Sequence, residues 1–353
     1  MGLEKIQKNL RNHADGNRLH QSGTSRVFCS LDDAWLEFDG QCATALYLAE
    51  FAIGGASMHK LAIALSKKNN YVVSGSAVEI SEKTSKRLGQ HNLLPEKPGW
   101  YPERILKSLS AVIVGKEAVL DNPELVRARE LGLKIYSAPE YLFHQTRSKT
   151  RIVVAGDENK KKVTLLILYV LKSLRIDADY MISSETNDLT ESAKLGYESR
   201  IAVFEGEEVL FSHQDPRPRF LMYKPQIAVI TGIEWNAENN YTSEEQYIED
   251  YISFIDSMEF QGRLIFNESD TVLQQITQKL RRDIVSFGYL AHQCEIVENE
   301  FYLTTKKTKI NLKLNNKTDL FNIEAARLAC KQIGITDEQF YKSISGFDFK
   351  TLN

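Results

Sequence analysis

Apolar and polar positions along this chain switch repeatedly between the period of a strand and that of a helix, starting at Ala45. Ala45 to Ile53 (ALYLAEFAI) reads as a buried strand and runs into Gly54-Gly55. Ser57 stands at the cap position of a helix whose apolar positions Leu61, Ile63, Ala64 and Leu65 extend to about Lys68. Tyr71 to Val73 is the next strand, followed by Ser74-Gly75-Ser76, and Ala111 to Val114 is another. Asn122 then caps a helix with Pro123 in its first turn. That helix ends near Gly132, and Lys134 to Tyr136 returns as a short strand.

A second series opens at Arg151 to Ala155 (RIVVA), with the apolar helix Thr164 to Leu174 behind it. Buried strands follow at Ile201–Phe204, Ile227–Ile230 and Leu264–Phe266, and an amphipathic helix at Thr242–Met258. Phe301 to Leu314 reads as a hairpin with Lys306-Lys307 near its turn, and helices at Leu320–Ile333 and Asp337–Ile344 close the chain, the last capped by Thr336. Strand, short turn and helix in alternation predict an α/β protein built on parallel sheets. The first unit is Rossmann-like and spans 44–148, and the second spans 149–346, with the charged junction Arg147–Lys149 between them.

Residues 1–43 are polar with little period and read as an N-terminal extension. A net charge of −3 excludes a generally basic nucleic-acid binder. The longest largely apolar run, Val163 to Leu171, is about half the length of a membrane span. The N-terminus has no apolar core of a secretory signal, so the expectation is a cytoplasmic protein with neither membrane nor nucleic acid as partner. Cys29, Cys42, Cys294 and Cys330 are scattered without a C-x-x-C pair, which fits reduced thiols.

Three stretches carry chemistry. Gly54-Gly55, between a strand and a helix, suits close approach of an anion to backbone N–H groups, although a tight turn without ligand reads equally well. The others are the segment with Asp121-Asn122-Pro123-Glu124-Leu125, and Val154 to Leu171, placed where a phosphate-binding loop would lie. Together they resemble the Mur ligase family, with the muropeptide-recycling branch nearest. The family's I-G-G-x-x-M turn is Ile53-Gly54-Gly55-Ala56-Ser57-Met58, its S-G-S-D is Ser74-Gly75-Ser76-Ala77, and its D-N-P-E-L is Asp121 to Leu125.

The resemblance implies a UDP-sugar domain, a P-loop-type central domain that binds ATP, and a third domain for the incoming amino acid or peptide. The chain ends at Asn353, so 347–353 reads as a linker remnant and the third domain as absent. The resemblance also implies ATP and magnesium as cofactors, and a UDP-N-acetylmuramate-type ligand held by Gly54, Gly55, Ser57, Met58, Ser74 and Ser76. Ala77 replaces the family's Asp, Glu79 lies nearby as a partial substitute, and Lys116-Glu117 stands where a small or imidazole side chain is usual.

The ATP elements depart furthest from the family pattern. The loop G-[ST]-H-G-K-[ST]-[ST] aligns with Gly156-Asp157-Glu158-Asn159-Lys160-Lys161-Lys162. Gly156 and Lys160 persist, Asn159 replaces a glycine, and Lys161 replaces the hydroxyl that would hold magnesium. Asp157 and Glu158 add like charges where a triphosphate would lie, or form an internal network with the lysines. The family's E-G-D-E-Y is Glu205-Gly206-Glu207-Glu208-Val209, in which Glu205 is the candidate magnesium ligand. Its W-D-H-x-N is Trp235-Asn236-Ala237-Glu238-Asn239, without the histidine. Of its nucleotide-base motif only Asn322 remains.

The expectation is therefore a catalytically impaired homologue, with no residue assigned a catalytic role and with ATP and magnesium binding weak or lost. It would bind a UDP-muramyl ligand or a partner protein. An active ATP-dependent ligase and a protein-interaction scaffold are the alternatives. His59 and His91 have no metal-ligand or nucleophile partner nearby in sequence. Arg217 and Arg219 read as phosphate ligands or, better, as a stiff solvated loop, and Tyr247, Tyr251 and Phe254 have the spacing of a helix face that packs in the core or against a partner.

Overall fold

The computed structural model describes residues 46–55, 57–115, 121–183, 191–208, 217–235, 241, 243–297, 300–304, 309–312, 314, 316–347 and 349. The expected extension 1–43, Cys29, Cys42, Lys116-Glu117, Ala237 and Lys306-Lys307 lie outside them.

The first sheet holds β1 (Leu46–Phe51), β2 (Tyr71–Ser76), β3 (Ala111–Val114) and β4 (Ile135–Ser137), all parallel, in the order β2-β1-β3-β4. Its helices are α1 (Met58–Ser66), α2 (Glu82–Gln90), α3 (Pro123–Glu130) and α4 (Ala138–Thr146). The strand order reverses between β1 and β3, which leaves a crevice at their carboxyl ends. Register puts Phe51 opposite both Ser76 and Val114, so the Gly54-Gly55 turn leaves β1 at that point.

Strand β1 stops short of Ile53 because Ala52 turns into the left-handed region, with φ 58°. Ser57 is the residue before α1, but its backbone is already helical and its side chain caps nothing there. The Asn122 cap forms as the sequence predicts: its Oδ1 accepts from the N–H groups of Glu124 and Leu125. Helix α2 escaped the sequence reading because only Thr84 and Leu88 of its nine residues are buried.

The second sheet runs β11-β10-β9-β5-β8-β6-β7. Its strands are β5 (Thr150–Ala155), β6 (Ala178–Met181), β7 (Ala193–Lys194), β8 (Ile201–Glu205), β9 (Ile227–Ile230), β10 (Arg263–Asn267) and β11 (Val285–Tyr289). All pair in parallel except β7, an antiparallel edge. Helix α5 spans Asn159–Ser173, so the lysine run expected to precede it forms its first turn. Helices α6 (Glu244–Asp256), α7 (Thr271–Thr277), α8 (Thr318–Gln332) and α9 (Asp337–Ile344) complete the layers. The expected hairpin forms as β13 (Glu300–Thr304) and β14 (Lys309–Leu312), and β12 (Cys294–Val297), which was not expected, pairs antiparallel with β13 to make a three-stranded meander.

No strand is shared between the two parallel sheets, yet one apolar cluster runs from Leu61, Leu65, Tyr141 and Leu142 to Phe204, Phe220, Tyr251 and Phe254. A second cluster fills the space between α5, α8 and α9, with Leu166, Ile167, Ile323, Ala326 and Phe340. Of the charged junction, Arg147 is exposed and Lys149 is buried. Lys149 Nζ donates to Asp179 Oδ2 at 2.5 Å, and to Ser199 Oγ and the Gly196 carbonyl at 2.8 Å. The Arg151 guanidinium, fully buried, donates to the carbonyls of Thr146, Tyr223 and Lys224 and to Glu259 Oε1. Charge survives burial there because every donor has an acceptor.

Candidate functional site

Two turns hold the candidate residues, each leaving the carboxyl end of the first strand of its parallel sheet and entering a helix. The first is Gly54 to Ser57. Neither glycine has positive φ. Gly54 is required by packing, because a Cβ there would meet the Glu79 carbonyl oxygen at 2.6 Å. Gly55 N–H donates to the Ala52 carbonyl at 3.0 Å, and the Gly55 carbonyl lies 2.9 Å from His59 Nδ1, so the turn is closed partly on itself. Ser57 Oγ lies 3.5 Å from Arg219 Nη1, and Met58 is buried.

Ser76 is buried and donates its hydroxyl to Glu124 Oε2, while Tyr101 N–H donates to Oε1 at 2.7 Å. Burial raises the Glu124 carboxyl above its ordinary value, against the opposing pull of these two bonds. Ser74 is exposed on β2 and Glu79 is exposed beyond it. Asn122 is 1% exposed, and its Nδ2 has no hydrogen-bond partner among the described residues. The structure thus gathers Gly54, Gly55, Ser57 and Ser76 around the crevice and leaves Ser74 facing solvent.

The second turn is Gly156 to Lys160. Gly156 has φ +121°, and a Cβ there would stand 2.4 Å from Thr231 Oγ1 and 2.7 Å from Thr231 N. Only glycine fits this backbone. Its N–H donates to Glu208 Oε1 at 3.1 Å, and Tyr251 OH donates to the same oxygen at 2.9 Å. Lys160 Nζ donates to Glu208 Oε2 at 2.7 Å and to the Gly156 carbonyl at 2.9 Å. Asp157 holds the opposite side: its Oδ1 accepts from Asn159 N–H at 3.0 Å and from the Thr231 hydroxyl at 2.6 Å. The donors that would face a phosphate are bonded to the chain's own carboxylates. The lysines of the turn do pair with carboxylates, but with Glu208 and Asp319 from elsewhere in the fold, whereas Asp157, expected to pair with them, bonds to Asn159 and Thr231.

Glu205, the candidate metal ligand, is buried and accepts from Ser183 N–H at 3.1 Å. Among the described residues no cluster of His, Cys, Asp and Glu forms a metal-binding group. Asn322 is buried and donates to Asn159 Oδ1 at 3.4 Å, which brings the remnant of the base motif to the turn itself. A cleft of about 1070 Å³ opens at the carboxyl ends of β10 and β11, lined among others by Glu268, Tyr289, His292, Glu324, Arg327 and Tyr341, and Asn322 is not part of its lining. Its polar groups bond to one another, as His292 Nε2 with Tyr341 OH at 2.7 Å and Arg327 with Glu324 and Asp337. Tyr247, Tyr251 and Phe254 are buried as their spacing predicts. What that spacing does not disclose is that Tyr251 bonds to Glu208. Thr231 and Glu208 likewise carried no signal of their own, apart from the position of Glu208 in the acidic strand-end motif.

The Mur ligase middle domain model matches residues 180–331. The UDP-N-acetylmuramate–L-alanine ligase of Carboxydothermus hydrogenoformans is 28% identical over 305 residues, covering 83% of this chain and 62% of that protein. The ligase of the same name from Ruthia magnifica subsp. Calyptogena magnifica is 25% identical over 308 residues, covering 84% and 63%. Residues 180–331 match a Mur ligase middle domain, and most of the chain is similar to Mur ligases.

The chain therefore spans about three fifths of the curated relatives' length. Its fold is that of Mur ligases of known structure. The UDP-N-acetylmuramate:L-alanyl-gamma-D-glutamyl-meso-diaminopimelate ligase from Neisseria meningitides superposes with a TM-score of 0.74 at 18% identity, over 86% of this chain and 99% of that one. A murein peptide ligase from Psychrobacter arcticus gives 0.72 at 20% identity, over 86% and 68%. The family match begins at residue 180, inside β6, so the Gly156–Lys160 turn lies outside it. No described helix is long and apolar enough to cross a membrane.

Proposed function

We propose that this Mur ligase homologue of peptidoglycan synthesis or recycling is impaired in ATP-driven amide-bond formation and serves in the cytoplasm by binding a UDP-muramyl compound or a partner protein. The observation that carries this reading is the Glu208 carboxylate on the Gly156 N–H and the Lys160 ammonium. A nucleotide phosphate would need those same donors. Magnesium would need a hydroxyl where Lys161 stands, and a lysine supplies only a cation. The residues present do not fit Mg-ATP.

Support for a retained sugar-nucleotide half-site comes from the crevice between β1 and β3. Gly54 and Gly55 persist there, and the buried Asn122 amide keeps a donor without an acceptor among the described residues. Isothermal titration tests the first claim: no Mg-ATP binding is expected, and micromolar, magnesium-dependent affinity abolished by Lys160→Ala would overturn it. Thermal shift with UDP-N-acetylmuramate tests the second, since a ligand of the folded state raises Tm. A flat Tm at millimolar ligand leaves a partner protein as the object of binding.

A further inference from the structure

We propose that Glu208 is a tethered oxyanion: the Gly156–Lys160 cradle still binds an anion, and the anion it holds is the chain's own carboxylate. This rests on the reading that ATP does not use the loop, and adds that the loop's anion affinity is intact but masked.

The backbone is the first ground. Gly156 keeps φ +121° against Thr231 and Gly232, a conformation only glycine sustains, even though the residues after it have diverged from the family pattern. A solvated turn has no need of that geometry. Donor placement is the second. Three donors converge on one carboxylate, two from the turn and one from α6: Gly156 N–H, the Lys160 ammonium one helical turn later, and the Tyr251 hydroxyl. The two carboxylate oxygens divide them, Oε1 taking the neutral donors and Oε2 the cation, as two oxygens of a phosphate would.

The third ground is the tether. Tyr241 OH donates to the Glu208 carbonyl at 2.7 Å, so the backbone of Glu208 is held as well as its side chain. Glu208 itself is 8% exposed. An intramolecular ligand acts at an effective concentration of millimolar or more, which excludes a free oxyanion of ordinary weak affinity. The acceptor capacity that a phosphate would bring is already supplied, and no metal is required to hold it. Removing the carboxylate should expose the donors to solvent anions.

Inorganic phosphate, titrated without metal and with EDTA present into the full chain, reads this out by calorimetry and by 31P line width. Glu208→Ala and Glu208→Gln are each expected to bind phosphate at least tenfold more tightly than the wild type, and the gain should vanish in the double variant Glu208→Ala/Lys160→Ala. Glu208→Gln keeps the side-chain volume, so it decides the matter if the alanine variant does not fold. Variants that melt cooperatively yet bind phosphate no better than the wild type would reduce the contact to a structural ion pair. A wild type that already binds phosphate as tightly as the variants would equally overturn the proposal. Magnesium-dependent ATP binding by the wild type would overturn the reading this proposal rests on, and its need for metal distinguishes it from the metal-free phosphate result that tests the proposal itself.

Discussion

The turns after β1 and β5 occupy equivalent places in two parallel sheets and have diverged in opposite ways. After β1 the glycine pair survives with ordinary backbone angles, and it is held by what packs on it, the Glu79 carbonyl over Gly54. The strained angle belongs to Ala52, one residue before the motif begins. After β5 the lone glycine carries the unusual angle itself, while Asp157, which replaces a hydroxyl residue, and Lys160, which persists, both bond inward. A backbone that places N–H groups outlasts the side chains around it, and what those side chains become decides whether the groups face a ligand or the protein.

Substituting the glycines separates the two cases and gives the largest expected effect. Gly156→Ala combines a left-handed angle with a 2.4 Å clash and should destabilise by about 3 kcal/mol or more in urea unfolding. Gly54→Ala meets the Glu79 carbonyl without backbone strain and should cost about 2 kcal/mol. Gly132→Ala, with φ +65° and open space around its Cβ, isolates the angle alone at about 1 kcal/mol. A Gly54 variant less stable than the Gly156 variant would reverse the assignment of which turn stores strain.

Next in size are the bonds onto Glu208. Lys160→Met leaves a mostly buried carboxylate without its cation and should cost about 2 kcal/mol, and Tyr251→Phe about 1.5 kcal/mol. Because both donors share one acceptor, the double variant should depart from additivity by about 0.5 kcal/mol or more. Additive losses would mean that the two donors act on Glu208 independently.

Much of this architecture was legible in the sequence. The strand–turn–helix rhythm announced both sheets, and Asn122-Pro123 and Thr336 announced helix starts that the structure reproduces. The missed elements are those with little apolar signal, such as α2, or those too short to show a period, such as β7. In the candidate site, Gly156 and Lys160 were readable because a motif spaces them. Glu208, Thr231 and Tyr251 were not, because they reach the turn from β8's end, β9's end and α6, and only the folded sheet brings those ends together.

The first turn is sharpened by a pH experiment on Ser76 and Glu124. Ser76→Ala should cost about 1 kcal/mol through the lost bond to Glu124. Burial raises the Glu124 carboxyl above 4.5, so the fold disfavours its ionised form. The wild type should therefore lose stability as pH rises from 4.5 through the raised value, and Glu124→Gln should lack that slope. The wild type's advantage over the variant is then greatest at low pH and shrinks on the way to neutrality. An advantage that grows with pH would mean that the bonds from Ser76 and Tyr101 outweigh burial.

The smallest effect is expected away from both turns, where Arg281 and Asp283 pair just before β11. Arg281 Nη2 donates to Asp283 Oδ2 at 2.8 Å and Nε to Oδ1 at 3.0 Å, and Gln261 N–H donates to Oδ2 at 3.2 Å. These bonds, the Arg281 one foremost, lower the Asp283 carboxyl from 3.8 to about 2. A lowered carboxyl contributes stability above its unfolded value and loses it as pH falls through the folded one, here from about 4 down to about 2. Asp283→Asn should flatten that acid limb: the variant falls slightly short of the wild type at neutral pH, by little because a partly exposed pair is screened by solvent and salt, and the two converge below about pH 2. Raising the salt should erase most of the difference in the wild type's acid limb. The carboxylate of Glu208 is enclosed, and its contribution should resist the same salt; equal salt sensitivity at the two sites would show that solvent reaches the cradle as freely as it reaches this surface pair.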